Sequence, residues 1–348
     1  MTTTPIKGRG ASWNPQNRFE PLEYIRDEEA ELDPNAPKTL YLRDPTRTLI
    51  ATNDSPDVGF EASINPYRGC EHGCIYCFAR PFHEYLGMSA GLDFETKILV
   101  KEDAPELLRE ELNAKSWEPK VIAISGVTDA FQPIERKLEI TRRCLAVLAE
   151  FRNPTAIITK NYLVTRDIDH LKELTKYDAA RVFISITTLD PHVANIMEPR
   201  ATTPELRLAA VEALASAGVP VGVMVAPIVP AITDHEMPAI LAAAKKAGAQ
   251  WAGKVVLRLP HAVAPLFERW LDEHYPDRKD KVLNRAREMR GGKLYDSTWG
   301  VRGRGEGLWA EQLSALFDVT CRRLGLNERD DGMSVAHFRR RLAQQALW

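Results

Sequence analysis

TPELRLAAVEALASAGVPVGVMVA, residues 203–226, is the stretch on which the fold turns. Thr203 stands where a helix cap belongs, Pro204 suits the first helical turn, and Gly218 stops the helix. Val221–Ala226 then runs almost unbroken in apolar residues, as a parallel strand covered on both faces does. The unit repeats outward. Strands are expected at Val121–Ser125, Thr155–Thr159, Val182–Thr187 and Val255–Leu259, with an earlier one leading into a cysteine cluster. Between the fifth and sixth, Thr233 and Glu236 have the spacing of a capping box ahead of Ile240 and Leu241, closed by Gly248. Six strands alternating with amphipathic helices predict an α/β chain built as a partial (β/α)6 TIM-type barrel.

The flanks read differently. Residues 1–55 are expected to form an N-terminal arm, with Lys7, Arg9 and Arg18 interleaved with Trp13 and Phe19 and followed by an acidic stretch from Asp27 to Asp33. The barrel is assigned to 56–261 and a C-terminal helical extension packed on it to 262–348. Helices are expected at about 262–274, 279–290, 307–324 and 335–346. Gly300, Gly303, Gly305 and Gly307 mark a long loop before the third of them.

With 348 residues, a formal net charge of -2 and 27% charged residues, nothing in the bulk composition calls for a polyanionic partner, so any nucleic-acid site must be a local patch. No charged-then-apolar leader opens the chain. The longest apolar run, Val221–Ile232, is too short for a bilayer and holds Pro227 and Pro230, so no membrane partner and a cytoplasmic location are expected. Five cysteines, three of them within eight positions, are not a secreted disulfide framework. Cys144 and Cys321 fall in helical apolar patterns and read as core thiols.

The three crowded cysteines lie in Arg68-Gly69-Cys70-Glu71-His72-Gly73-Cys74-Ile75-Tyr76-Cys77, spaced C-x3-C-x2-C. Iron–sulfur clusters are held by thiolates, and a four-iron cubane normally takes four. Three thiolates on one tight loop, turned at Gly69 and Gly73, leave one iron open to another ligand. A structural zinc site is the competing reading. It usually shows two separated ligand pairs, and this chain has no second pair, while His72 is awkwardly close to serve as a fourth ligand.

With Tyr76 before the last cysteine, the motif resembles the signature of the radical S-adenosylmethionine (SAM) superfamily. The resemblance implies a 4Fe-4S cluster on Cys70, Cys74 and Cys77. It implies SAM bound at the open iron and cleaved reductively to a 5′-deoxyadenosyl radical. A low-potential electron donor such as flavodoxin or ferredoxin is implied as a partner.

Strand ends of such a barrel should carry the rest of the cofactor site. Ser125-Gly126-Val127-Thr128-Asp129 follows the second strand, Thr159-Lys160 ends the third, and Ser185 and Thr187 lie in the fourth, ahead of Glu198-Pro199-Arg200. This ordered set resembles spore photoproduct lyase and its wider group of DNA-repair-photolyase-like proteins over roughly residues 55–260. The resemblance implies cofactor contacts from Tyr76, Thr128, Lys160, Ser185 and Arg200, and Asp129 is a further candidate from its position. Two departures stand out. Gly126 occupies the place of the lyases' hydrogen-donating cysteine, and Phe78 that of a tyrosine. A spore photoproduct repair reaction is therefore not expected.

For the substrate, residues 278–304 hold nine Lys or Arg against three Asp or Glu, with Tyr295, Trp299 and Trp309 near. Basic groups neutralise phosphates and aromatics stack on bases, so a nucleic-acid substrate is the first expectation. The alternatives are radical chemistry on a peptide or small metabolite, and a non-catalytic metal-binding or electron-transfer protein. His261 and Glu236 lie near the expected mouth, the first read as structural and the second as a cap.

Overall fold

The computed structural model describes residues 8–15, 17–19, 38–328 and 332–340. Lys7, the acidic stretch Asp27–Asp33 and residues 341–346 of the last expected helix lie outside them. Ten strands are present: β1 Leu40–Arg43, β2 Ile50–Thr52, β3 Ala62–Ile64, β4 Tyr67–Arg68, β5 Lys97–Val100, β6 Ile122–Ile124, β7 Thr155–Thr159, β8 Ala180–Ser185, β9 Val221–Ile228 and β10 Trp251–Val256. The helices are α1 Leu92–Thr96, α2 Ala104–Asn113, α3 Glu135–Leu138, α4 Ile140–Phe151, α5 Ile168–Thr175, α6 Pro191–Met197, α7 Pro204–Ser216, α8 Met237–Lys246, α9 Val263–His274, α10 Lys279–Glu288 and α11 Leu308–Leu324.

Seven strands form one sheet in the order β10-β9-β8-β7-β6-β3-β2. Each neighbouring pair from β10 to β3 is parallel, and β2 closes the edge antiparallel to β3. All six expected parallel strands are therefore present, and the fold is mixed α/β on a largely parallel sheet. The close packing of strands is visible at Gly222 on β9, where an added Cβ would lie 2.7 Å from the Phe183 ring of β8. Cys144 and Cys321 are buried in the main core.

Several local expectations are corrected. The sixth strand lies at Trp251–Val256, not Val255–Leu259, because its first residues pair with Gly222–Val225 of β9 before the register shifts near Val256. Glu236 does not cap its own helix. It accepts from the Thr188 hydroxyl at 2.6 Å and the Leu189 amide at 2.7 Å, while the Thr233 hydroxyl accepts from the Val229 amide at 3.0 Å. Residues 332–340 are not helical. Within the expected arm, β1 pairs parallel with β5 and β2 joins the main sheet. Among the described residues no helix is long and apolar enough to cross a membrane.

The smaller sheet, ordered β1-β5-β4, matters most for function. β4 and β5 pair antiparallel, with Tyr67 opposite Val100 and Arg68 opposite Leu99. They close the base of a long excursion, residues 69–96, which begins with the cysteine loop and ends with α1.

Candidate functional site

The backbone of the cysteine loop is shaped by two glycines. Gly69 (φ +81°) and Gly73 (φ +67°) adopt left-handed conformations, and a Cβ on Gly73 would come within 2.8 Å of Glu95 Oε2. The Cys70 amide donates to Phe94 O at 2.9 Å, and the Ile75 amide donates to Met197 O at 3.0 Å. Arg80 is fully buried and uses every guanidinium nitrogen. Nε donates to Cys74 O, Nη2 to Gly73 O and Glu95 Oε1, and Nη1 to Ala90 O and Gly91 O. Glu95 in turn accepts from the Gly10 and Ala11 amides at 3.1 and 2.8 Å. A Cβ on Gly10 would lie 1.7 Å from Gly73 O, so the N-terminal segment lies flat against the loop.

Cys70, Cys74 and Cys77 are free thiols, the first two 7% and 8% exposed. Burial pushes Cys74 up to about 12, with Glu198 adding to the rise and Lys160 opposing it. Burial, then Asp129, drives Cys70 well above the ordinary thiol range, and burial also raises Cys77. Such thiols need a cationic centre to ionise, which is the chemistry an iron–sulfur cluster offers. Among the described residues no group of three or more His, Cys, Asp or Glu side chains is drawn together so as to hold one metal ion.

The strand ends meet this loop. Thr128, after β6, donates its hydroxyl to Gly69 O at 2.6 Å. Asp129 accepts from the Thr159 hydroxyl at 2.8 Å, the Phe131 amide at 2.9 Å and the Lys160 amide at 2.9 Å, and its Oδ2 lies 3.4 Å from His72 Nδ1. The other ring nitrogen of His72 faces Asn161 Nδ2 at 3.1 Å, so the imidazole accepts there and carries its proton on Nδ1. Burial lowers the His72 pKa and keeps the ring neutral.

Tyr76 donates its hydroxyl to Glu198, which also accepts from Thr187 Oγ1 at 2.8 Å and forms a buried ion pair with Arg207. Burial alone would raise the Glu198 pKa, but Arg207 and Lys160 more than offset it, so the carboxylate stays ionised. Arg207 also donates to Ser185 O at 3.1 Å, which fixes the end of β8. Lys160 is the free cation of the group. Its ammonium lies 5.9 Å from the Tyr76 ring centroid and makes no hydrogen bond or ion pair among the described residues.

Of the residues singled out in the sequence, Tyr76, Thr128, Asp129 and Lys160 gather at the cysteine loop, while Ser185 is tied to them through its carbonyl, which accepts from Arg207. Arg200 does not present a free guanidinium. It is held by Glu71 Oε1 at 3.0 Å and Thr39 Oγ1 at 3.3 Å, and its amide donates to His72 O. Arg80, Glu95, Asn161 and Arg207 were not foreseen. Only Arg207 left a trace, being a charge on the apolar face shared by Ala210, Val211 and Leu214. Gly126 has open space, for an added Cβ would meet only Asn65 and Ser63 at 3.8 Å.

The chain matches the family model described as "Radical SAM superfamily" over residues 64–244, which span the cysteine loop and each strand end above. It is 34% identical over 232 residues to "Uncharacterized protein Rv2578c" of Mycobacterium tuberculosis, covering 66% of this chain and 67% of that one. It is 27% identical over 228 residues to "Uncharacterized protein MJ0683" of Methanocaldococcus jannaschii, covering 66% and 82%. Its fold resembles spore photoproduct lyase complexed with dinucleoside spore photoproduct, with a TM-score of 0.59, 18% identity, and 82% and 80% of the two chains covered. A lyase mutant with bound AdoMet and the same ligand gives 0.58 and 17% over the same shares. The chain belongs to the radical SAM superfamily, and it is an enzyme whose family chemistry is the radical cleavage of SAM.

Proposed function

We propose that Cys70, Cys74 and Cys77 hold a 4Fe-4S cluster and that this enzyme uses it on a nucleic-acid substrate. When bound, the cluster supplies the electron that splits the SAM C–S bond to give a 5′-deoxyadenosyl radical. The observation carrying this reading is the set of three free thiols on one pinned loop, Cys70 and Cys74 buried and Cys77 half-buried, with the uncommitted Lys160 ammonium beside them. Lys160 meets the SAM carboxylate, and Ser185 and the Thr128–Asp129 turn complete its pocket. Tyr76 and Arg200 act by holding Glu198 and Glu71 in place. The parallel strands are read as a partial (β/α)6 barrel with this site at their C-terminal ends. A flavodoxin or ferredoxin of the cytoplasm is the proposed reductant.

The nucleic-acid assignment draws on the exposed aromatics Phe78, Phe82, Tyr85 and Trp299 and on the basic block 278–304. Within that block Lys279 pairs with Asp272 and Arg285 with Glu288, while Lys281 and Lys293 stay exposed. A lyase of similar fold is complexed with a dinucleoside photoproduct. The test is anaerobic reconstitution with iron and sulfide, reduction with dithionite, and measurement of 5′-deoxyadenosine. Wild type should yield it and the triple Cys70, Cys74, Cys77→Ala variant should not. Equal yields would end the cluster assignment, and nucleoside release unaffected by added DNA or RNA would end the substrate assignment.

A further inference from the structure

Two arginines at the mouth of the site form no ion pair among the described residues. Arg258 lies two residues past β10, at the C-terminal end of the sheet, and its guanidinium sits 4.8 Å from the centroid of the Phe78 ring. Phe78 directly follows Cys77 and is 42% exposed. Arg258 makes no hydrogen bond or ion pair among the described residues, and its Nε is buried without a partner.

Beside it is Arg290, only 2% exposed. Arg290 donates to the carbonyls of Leu257, Ala286 and Arg302, all neutral acceptors, and its Nε is likewise buried and unpartnered. The nearby acids form no ion pair with either arginine. Asp57 takes the Arg302 guanidinium and the Gly300 amide, and Asp296 accepts from the Thr298 amide. Burial, together with the Arg258 charge, pushes Arg290 down to about 10. Two neighbouring guanidiniums, each with a dry orphan donor, are destabilising alone and relieved by a shared anion. The Arg258 guanidinium lies over the Phe78 ring, and an arginine so placed and without an ion pair is suited to grip a phosphate through two parallel bonds.

We propose that Arg258 and Arg290 form a subsite for a phosphate group of the substrate, on the rim of the cysteine loop with Phe78 as its platform. The assignment of that phosphate to a nucleic-acid backbone rests on the function proposed above; the subsite itself does not. It also gives Phe78 a task, carrying Arg258, that needs no phenolic hydroxyl.

The test uses the reconstituted full chain and isothermal titration with two kinds of probe. One is inorganic phosphate, and the other is a short single-stranded oligonucleotide alongside its uncharged methylphosphonate analogue. Wild type should bind phosphate, and Arg258→Gln should weaken that binding by about tenfold to a hundredfold, the range for losing a charged hydrogen bond. Arg258→Lys should fall between the two. Iron content and SAM affinity should match wild type in both variants, which separates the effect from misfolding. Phosphate binding that is absent in wild type, or equal in wild type and Arg258→Gln, overturns the subsite. If phosphate binding depends on Arg258 but no oligonucleotide binds wild type, the subsite stands and the nucleic-acid reading falls. If the oligonucleotide binds and Arg258→Gln keeps the full preference over methylphosphonate, the reverse holds.

Discussion

The guanidinium of Arg80 and the carboxylate of Glu95 meet at 2.6 Å with both side chains out of solvent, bridging the cysteine loop to the helix that closes it. Removing one member of such a pair strands the other charge in a dry interior, at a cost of about 3–5 kcal/mol. Arg80→Met should therefore lower the urea midpoint of the unloaded protein and its iron content after reconstitution. Arg80→Lys should rescue little, since one ammonium cannot serve five acceptors in a planar array. An unchanged midpoint in both variants would show that the pair does not organise the loop.

Gly10→Ala places a methyl 1.7 Å from Gly73 O and must lift the N-terminal segment off the loop. The expected result is faster bleaching of the cluster absorbance in air. Gly59→Ala, whose Cβ meets nothing within 4 Å, is the control. Matching bleaching rates would mean that the segment gives no protection.

Lys160 makes no side-chain hydrogen bond or ion pair among the described residues, so replacing it should leave the scaffold intact. Lys160→Met is expected to weaken SAM binding by about tenfold or more, with iron content unchanged, and Lys160→Arg to recover part of the loss. Equilibrium binding of radiolabelled SAM reads both. Affinity equal to wild type in the Met variant would assign the carboxylate to another residue.

His83 is buried against Gly69 and Phe94, with Nε2 at 2.9 Å from Lys97 O, and burial lowers its pKa to about 4. The folded value lies below the unfolded one, so the unfolded state binds more protons between them. Stability is therefore full above pH 6.5 and falls as pH drops toward 4, by about 2 kcal/mol between pH 7 and pH 5. Urea titrations of the unloaded protein at the two pH values measure this. His83→Gln, which keeps a donor for Lys97 O, should shrink the difference and leave the share of His72, whose pKa burial also lowers; the same difference in the variant would place its origin elsewhere.

The sheet was legible because its strands are short apolar runs bracketed by helix signals, and β7 and β9 begin where that pattern predicts. β1 was not legible, since all four of its residues are exposed and leave no alternation to read. The capping box failed for a tertiary reason: Glu236 finds stronger donors in Thr188 and Leu189, on a neighbouring strand-to-helix turn.

At the site, the cysteine loop and Lys160 could be placed together from the sequence, because spacing and strand-end position say where they lie. The buried charges could not. Arg80 and Glu95 look like any surface charges in a string of letters, and only their partners show that they are interior. The pairing of Arg200 was hidden for the same reason, because Glu71 lies far from it in sequence.

The Ile75 amide reaches Met197 O, and the Arg200 amide reaches His72 O. Translation runs from the N-terminus, so the three thiols leave the ribosome long before the two peptide groups that clamp their loop. A nascent chain halted short of residue 197 carries every proposed sulfur ligand yet lacks the shape to arrange them. Under the proposed assignment, iron and sulfide enter the finished geometry only after residues 197–200 have been made.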